Sequence, residues 1–292
     1  MANASLDISF HDTVFIGFYG IYIPNLLSVT ASNTRLFSVN VYNDHNVTSL
    51  EDINNYDNYI KMFWVGLMDG DGSIQVNHWG KKKKILQYRL VIKLSNTKYN
   101  YNMLIKIAEV IGGTVRITGK GADVIWVVNR KQEVEEIIKI YIAYPPLTSR
   151  KISQLAFLRT CLTENSVESY LLNRNTKYSK ILDIIKSKNN LSIPLYFKGW
   201  LSGFIEAEGC FSVRKNNNHS FSIGQNDDIY LIYAVKQYFE ATNIVRNPYL
   251  RFYSLEIYKK EVLLNITYHC ASYPLLGEKL ESLKKFNKTF YK

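Results

Sequence analysis

Cysteine is scarce in this chain of 292 residues. Cys161, Cys210 and Cys270 lie scattered, which excludes a disulfide framework or a clustered zinc site and suits a reducing compartment. Long apolar runs are also missing: residues 14–23 form an apolar stretch of ten, against the ~20 needed to span a bilayer. That stretch lacks the basic flank of a signal peptide, so it reads as a strand or an unstructured leader with no membrane role. No nucleophile elbow, Walker loop or dinucleotide fingerprint occurs. The five histidines, His11, His45, His78, His219 and His269, show no metal-ligand spacing. A mean hydropathy of −0.14 and 21% charged residues exclude wholesale disorder.

Acidic charge is the minority, with 25 Asp and Glu against 36 Lys and Arg, a net of +11. Such a balance favours a polyanionic partner. The charge is uneven: residues 1–60 hold one cation, Arg35, against six acids, a net of −5, so the remainder carries +16. Any polyanion-binding surface therefore lies beyond about residue 60. An organelle transit peptide would be rich in arginine and poor in acids, the reverse of this N-terminus. Lysine outnumbers arginine 26 to 10 among abundant Asn, Ile, Tyr and Phe, residues whose codons point to an AT-rich genome.

The chain repeats itself. Trp64-Val-Gly-Leu-Met-Asp-Gly-Asp-Gly72 matches Leu201-Ser-Gly-Phe-Ile-Glu-Ala-Glu-Gly209, and Tyr144-Pro-Pro-Leu-Thr-Ser-Arg-Lys151 matches Tyr273-Pro-Leu-Leu-Gly-Glu-Lys279, at offsets of 137 and 128. Equal order and nearly equal spacing mark a duplication. In the first copy the pattern predicts a hairpin of 73–78 and 85–94, a helix near 101–111 ended by Gly112-Gly113, strands at 114–118 and 124–128, and helices near 131–142 and 149–163. The second predicts a helix at 197–208, a hairpin over 210–225, a helix at 228–240, strands at 244–247 and 250–257, and helices near 259–268 and 275–287. The expected fold is α+β, an αββαββα unit used twice, with 1–58 a leader, 59–163 the first copy, 164–195 a linker and 196–292 the second.

The repeated motif suits the last turns of a helix. Gly66 and Gly70, or Gly203 and Ala207, lie four apart and so share one face. Mid-helix glycine costs about 1 kcal/mol relative to alanine, so these small residues call for a compensating contact, supplied if the two motif helices pack on each other about a pseudo-twofold axis. Gly72 and Gly209 fit left-handed C-terminal caps. Asp71 and Glu208 then sit at the negative ends of two helix dipoles and close to each other, which raises carboxylate pKa values unless a cation lies between them. Oxygen ligands leaving room for water and phosphate suit Mg²⁺ or Mn²⁺, and paired carboxylates in a basic protein suit phosphodiester chemistry.

With these residues in view, the chain resembles the two-repeat, single-chain LAGLIDADG homing endonucleases over about residues 59–290. The resemblance implies a DNA-binding saddle with hairpins in the major groove, scission across the minor groove leaving short 3′ overhangs, and metal held by Asp71 and Glu208. It further implies active-site roles for Lys151 and Lys279, and a water-organising role for Gln225 and Lys93. Trp64, Val65 and Met68 depart from the family pattern without touching the acid position.

On the hairpins Ser73, Gln75 and Asn77 share a face, as do Gln87, Arg89 and Lys93, and in the second copy Ser212 and Arg214. Such side chains read base edges in the major groove of double-stranded DNA. Lys81, Lys82, Lys83 and Lys84 form a basic turn suited to phosphate contact, and His78 and His219 lie near the hairpin tips, within reach of DNA. The leader from Ala2 to Thr13 resembles a stretch of cytochrome c oxidase subunit 1. That implies an intron reading frame continuous with an upstream exon, a protein made inside the mitochondrion, and a leader open to proteolytic removal. The expectation is a monomeric, metal-dependent DNA endonuclease promoting homing of its own group I intron. A maturase that binds the host intron RNA is the alternative, since the same basic surface would serve either ligand; a DNA-binding regulator without cleavage would have lost the two acids.

Overall fold

The computed structural model describes residues 50–78, 85–188, 192–214 and 218–291, and both copies build the same succession. In the first, α1 (Leu50–Gly70) leads into β1 (Gly72–His78) and β2 (Leu86–Ser95). There follow α2 (Lys98–Ile111), β3 (Thr114–Thr118), β4 (Asp123–Val128), α3 (Lys131–Ile138), α4 (Ile140–Ala143) and α5 (Ser149–Glu164). A connector with α6 (Val167–Asn173) and α7 (Ile181–Ser187) reaches the second copy. There α8 (Phe197–Glu208) precedes β5 (Cys210–Val213), β6 (His219–Asn226), α9 (Ile229–Tyr238), β7 (Arg246–Tyr249), β8 (Phe252–Ile257), α10 (Lys260–Ser272) and α11 (Glu278–Phe290). Both sheets are antiparallel with equivalent orders, β1-β2-β4-β3 and β5-β6-β8-β7. The fold is α+β, with one succession of helices and a four-stranded antiparallel sheet used twice. Both copies lie in one compact unit, Tyr56–Lys292.

Local chemistry explains several boundaries. Thr97 caps α2 by accepting from the amide of Asn100, three residues before the expected start, and Gly112 ends it at φ 92°, a conformation glycine adopts without strain. The connector, read from its Asn and Ser content as plain linker, is helical where Ser166 accepts from the amide of Ser169 and Tyr170 packs on Phe157 of α5 at 6.0 Å. In the second sheet β7 keeps four residues but lies two residues later than the expected 244–247, and its pairing with β8 shifts register between Arg246 and Tyr249.

The core is centred on the motif helices. Tyr59, Phe63, Trp64 and Leu67 of α1 and Phe197, Trp200 and Phe204 of α8 are at most 1% exposed, each such burial stabilising by about 1.5–3 kcal/mol. The unusual Trp64 fills its own copy's core, 5.8 Å from Trp126 and 5.0 Å from Tyr141. The axis of approach runs through the predicted small residues. A Cβ on Gly66 would lie 1.9 Å from the carbonyl oxygen of Trp200, and one on Gly203 would lie 1.8 Å from that of Phe63. One on Gly70 would meet the Cβ of Ala207 at 2.3 Å.

The caps differ from expectation. Gly209 is extended, at φ −75° and ψ 150°, and Gly72 also lies outside the positive-φ region. Glycine is needed for space: a Cβ would sit 2.6 Å from the Met68 Cα at Gly72 and 2.6 Å from the Ile205 carbonyl oxygen at Gly209. The chain enters β1 and β5 pressed against the last helical turn. Among the described residues, no helix is long and apolar enough to cross a membrane.

Candidate active site and nucleic-acid interface

The packed helices α1 and α8 end together, so Asp71 and Glu208 meet where each hairpin begins. The approach is close: a Cβ at Gly70 would stand 3.3 Å from Cγ and 3.4 Å from Oε1 of Glu208. Burial is the main cause that raises both carboxyls; the Asp71 charge adds to the effect on Glu208 and brings it to about 7, while Lys151 and Lys279 pull both the other way. Burial and, after it, the neighbouring Asp71 charge thus both favour the neutral form of Glu208.

Lys151 and Lys279 stand on the first turns of α5 and α11, and a second, deeper pair of acids holds those turns. Asp69 accepts from the amides of Leu147 (2.7 Å) and Thr148 (3.3 Å), from the Thr148 hydroxyl (2.6 Å), and from the Trp200 indole of the other copy (2.7 Å). Glu206 accepts from the amides of Leu276 (3.2 Å), Gly277 (3.0 Å) and Lys279 (2.8 Å). A carboxylate at a helix N-terminus satisfies otherwise unpaired donors. Burial raises both acids above the ordinary range in spite of these donors. Sequence reasoning passed over Asp69 and Glu206, although they occupy matching positions two residues before Asp71 and Glu208. That repetition was the signal.

Each lysine-bearing turn is also held from the opposite copy. Asp228, at the start of α9, accepts from the amide of Ser149 at 3.0 Å. Asn100, on α2, accepts from the amide of Glu278 at 3.0 Å and donates to its carboxylate at 3.3 Å. Tyr196 donates to the carbonyl of Pro145 at 2.6 Å, and Tyr59 donates to that of Pro274. The two lysines nevertheless differ. Lys151 is 3% exposed, and burial lowers its pKa against the attraction of Asp69 and Asp71; Lys279 is half-buried.

The first hairpin arranges its polar side chains as expected. Ser73 stands opposite Val91, Gln75 opposite Arg89 and Asn77 opposite Gln87, all half-buried except Val91, which is buried. Lys81, Lys82, Lys83 and Lys84 lie outside the described residues. In the second hairpin Ser212 pairs with Ser220. Arg214 donates to Glu256 at 2.9 Å and lies over the Tyr258 ring at 5.4 Å.

Register separates the two proposed water-organising residues. Ser73 stands opposite Val91 and its counterpart Cys210 opposite Ser222, so the counterpart of Gln225 is Leu94 and that of Lys93 is Gly224. Lys93 shares the face of Arg89 and pairs with Asp123 at 2.8 Å, whereas Gln225 shares the face of Ile223 and accepts from the amide of Asn226 at 3.0 Å. Lys93 is not drawn to the acid pair. His219 turns to α11, its Nε2 2.9 Å from the Thr289 hydroxyl and its ring against Phe286 at 4.8 Å.

Among the described residues no cluster of three or more His, Cys, Asp or Glu could hold a metal ion; the paired carboxylates here are Asp71 and Glu208. Hard oxygen donors numbering one or two, with waters and phosphate completing the shell, suit Mg²⁺.

Comparisons agree with this architecture. The family model described as LAGLIDADG endonuclease matches residues 64–161 and 201–290. The chain is 47% identical to the "Probable intron-encoded endonuclease aI3" of Debaryomyces hansenii over 98% of its own length; it spans 47% of that relative. Among solved structures, the I-LtrWI LAGLIDADG homing endonuclease bound to target DNA superposes with a TM-score of 0.61 at 18% identity, covering 80% of this chain and 90% of that one. I-SmaMI, bound to an uncleaved DNA target in the presence of calcium ions, gives 0.63 at 15% identity, covering 79% and 90%. With both signature helices, both sheets and both lysine-bearing turns in place, the chain belongs to the LAGLIDADG endonuclease family.

Proposed function

We propose that this chain is a site-specific DNA endonuclease that cleaves both strands by divalent-metal-dependent hydrolysis and promotes homing of its own mitochondrial group I intron. The observation that carries the proposal is the convergence of Asp71 and Glu208 at the ends of two interlocked helices, within electrostatic range of Lys151 and Lys279. The names of the relatives and the DNA-bound state of the similar structures support it. The mitochondrial placement rests on the leader's resemblance to cytochrome c oxidase subunit 1. One chain carries both acids and both lysines, so a monomer suffices.

Asp71 and Glu208 would hold Mg²⁺ or Mn²⁺, which when bound supplies Lewis acidity toward a phosphate oxygen and water. Both carboxyls must be ionised to serve as ligands, and a divalent cation between them would counter the burial and the mutual repulsion that raise the Glu208 carboxyl. Lys151 and Lys279 offset negative charge developing on the phosphate, in a setting where burial strengthens the interaction. Asp69 and Glu206 act on those lysines through the backbone, holding the turns that carry them. The polar faces of β1, β2 and β5 meet base edges, and basic residues meet phosphate.

The test is a plasmid bearing the intronless exon junction, incubated with Mg²⁺ and with chelator. Wild-type protein should linearise it only with the metal, and Asp71→Asn should bind the site without linearising it; full cleavage by Asp71→Asn would refute the assignment. Splicing of the precursor RNA assisted equally by wild type and Glu208→Gln would instead establish a maturase role independent of the acids.

A further inference from the structure

The connector carries basic charge that the acid site does not use. Its segment 174–180 runs through successive turns, with the amides of Thr176 and Ser179 donating to the carbonyls of Asn173 and Thr176, and presents Arg174, Lys177 and Lys180. Tyr178 docks it. The Tyr178 hydroxyl accepts from the Gln154 side-chain amide at 2.9 Å, and the carbonyl oxygen of that side chain accepts from the backbone amide of Ile74 in β1 at 3.3 Å. One amide side chain thus joins the connector to the strand that carries Ser73, Gln75 and Asn77.

Cations gather around the same phenol. The Lys177 ammonium lies 4.9 Å from its ring centroid and the Arg150 guanidinium 5.8 Å. Lys151 is within electrostatic range of both Tyr178 and Asp71. Among the described residues, none of Arg150, Arg174, Lys177 and Lys180 forms an ion pair, although exposed Lys131, Lys139 and Lys285 elsewhere find carboxylate partners. Like charges crowded without counter-charge repel one another, and an anion in reach relieves the repulsion. The patch adjoins both the DNA-reading hairpin and the residue next to Lys151, so the anion at hand is the backbone of the bound duplex.

We propose that the connector is a third DNA-contacting element, in which Arg150, Lys177 and Tyr178 clamp backbone phosphate beside the scissile position of the first copy's half-site. This rests on the endonuclease reading and adds a surface to it. The clamp contributes affinity and register without reading sequence.

Each phosphate contact removed lowers the slope of log affinity against log salt by about 0.9. The Arg150→Ala/Lys177→Ala variant should therefore bind the target duplex with a slope smaller by about 1.8 and a higher Kd, while Lys177→Arg retains the wild-type slope. Control variant Lys106→Ala/Lys288→Ala, on α2 and α11, should leave the slope unchanged. Thermal unfolding of each variant near the wild-type midpoint shows that the fold is intact. A wild-type slope in the Arg150→Ala/Lys177→Ala variant, or an equal fall in the control, would overturn the clamp and leave the endonuclease reading standing. Failure of the wild type to bind and cleave the duplex at any salt would overturn that reading itself.

Discussion

Four carboxylates in two motifs do two different jobs, and their surroundings decide which. Asp69 and Glu206 are buried among backbone donors and hold helix starts. Asp71 and Glu208, two residues on, face each other and two lysines. Glu208 illustrates the cost of that arrangement. Its carboxyl is raised to about 7 in the folded protein from about 4.3 in an unfolded chain. Because the folded state holds this proton to higher pH than the unfolded chain, the destabilisation by the carboxyl is absent below about 4.3, grows as pH rises toward about 7, and is complete above it. In chelator, Glu208→Gln should stabilise the protein by about 3 kcal/mol at pH 8 and by little near pH 4, measured by urea unfolding at both. A constant gain would show that the carboxyl is not the source. At limiting Mg²⁺, wild-type cleavage should rise with pH through the same range, and the rise should move to lower pH as Mg²⁺ increases, because metal and proton compete for the same oxygens.

At the scale of elements, α1 and α8 cross so closely that backbone meets backbone. Gly203→Ala would press a Cβ to 1.8 Å from the Phe63 carbonyl oxygen, an overlap that rotamer changes cannot relieve. It should cost about 3 kcal/mol or more in denaturant unfolding. The neighbouring contact is different in kind. Gly70→Ala would clash chiefly with the Cβ of Ala207, so Ala207→Gly in the same chain should restore part of the loss, a coupling readable in a double-mutant cycle. Additive losses would show that the helices can slide apart at this end. The helices were legible in the sequence from their small residues four apart. The connector's docking was not, because Tyr170 and Tyr178 acquire meaning only against Phe157 and Gln154 of α5.

At the scale of the whole unit, hydrogen bonds cross between the copies in pairs: Asp228 to Ser149 and Asn100 to Glu278, Tyr196 to Pro145 and Tyr59 to Pro274. Each lysine-bearing turn thus depends on the copy that does not contain it. Tyr56–Lys292 should accordingly unfold in one cooperative transition, with equal calorimetric and van 't Hoff enthalpies. Two resolved transitions would mean that the copies fold as independent domains. The same interlock ties the geometry of one acid-and-lysine set to the integrity of the other copy, as the proposed cleavage of both strands would require.

Periodicity and duplication in the sequence determined the two αββαββα copies, the small-residue contact and the acid pair, because alternation, helical spacing and repetition are properties of a linear chain. Strand register decided that Leu94, not Lys93, is the counterpart of Gln225, since each copy's hairpin has its own length. Tertiary packing alone decided that Gly72 and Gly209 serve close approach rather than left-handed caps. It also decided that Lys151 is buried while Lys279 is half-exposed, and that Asn100 and Asp228 reach across the pseudo-twofold axis. Those facts depend on which surfaces meet, and in the linear chain Asn100 and Glu278 stand 178 residues apart.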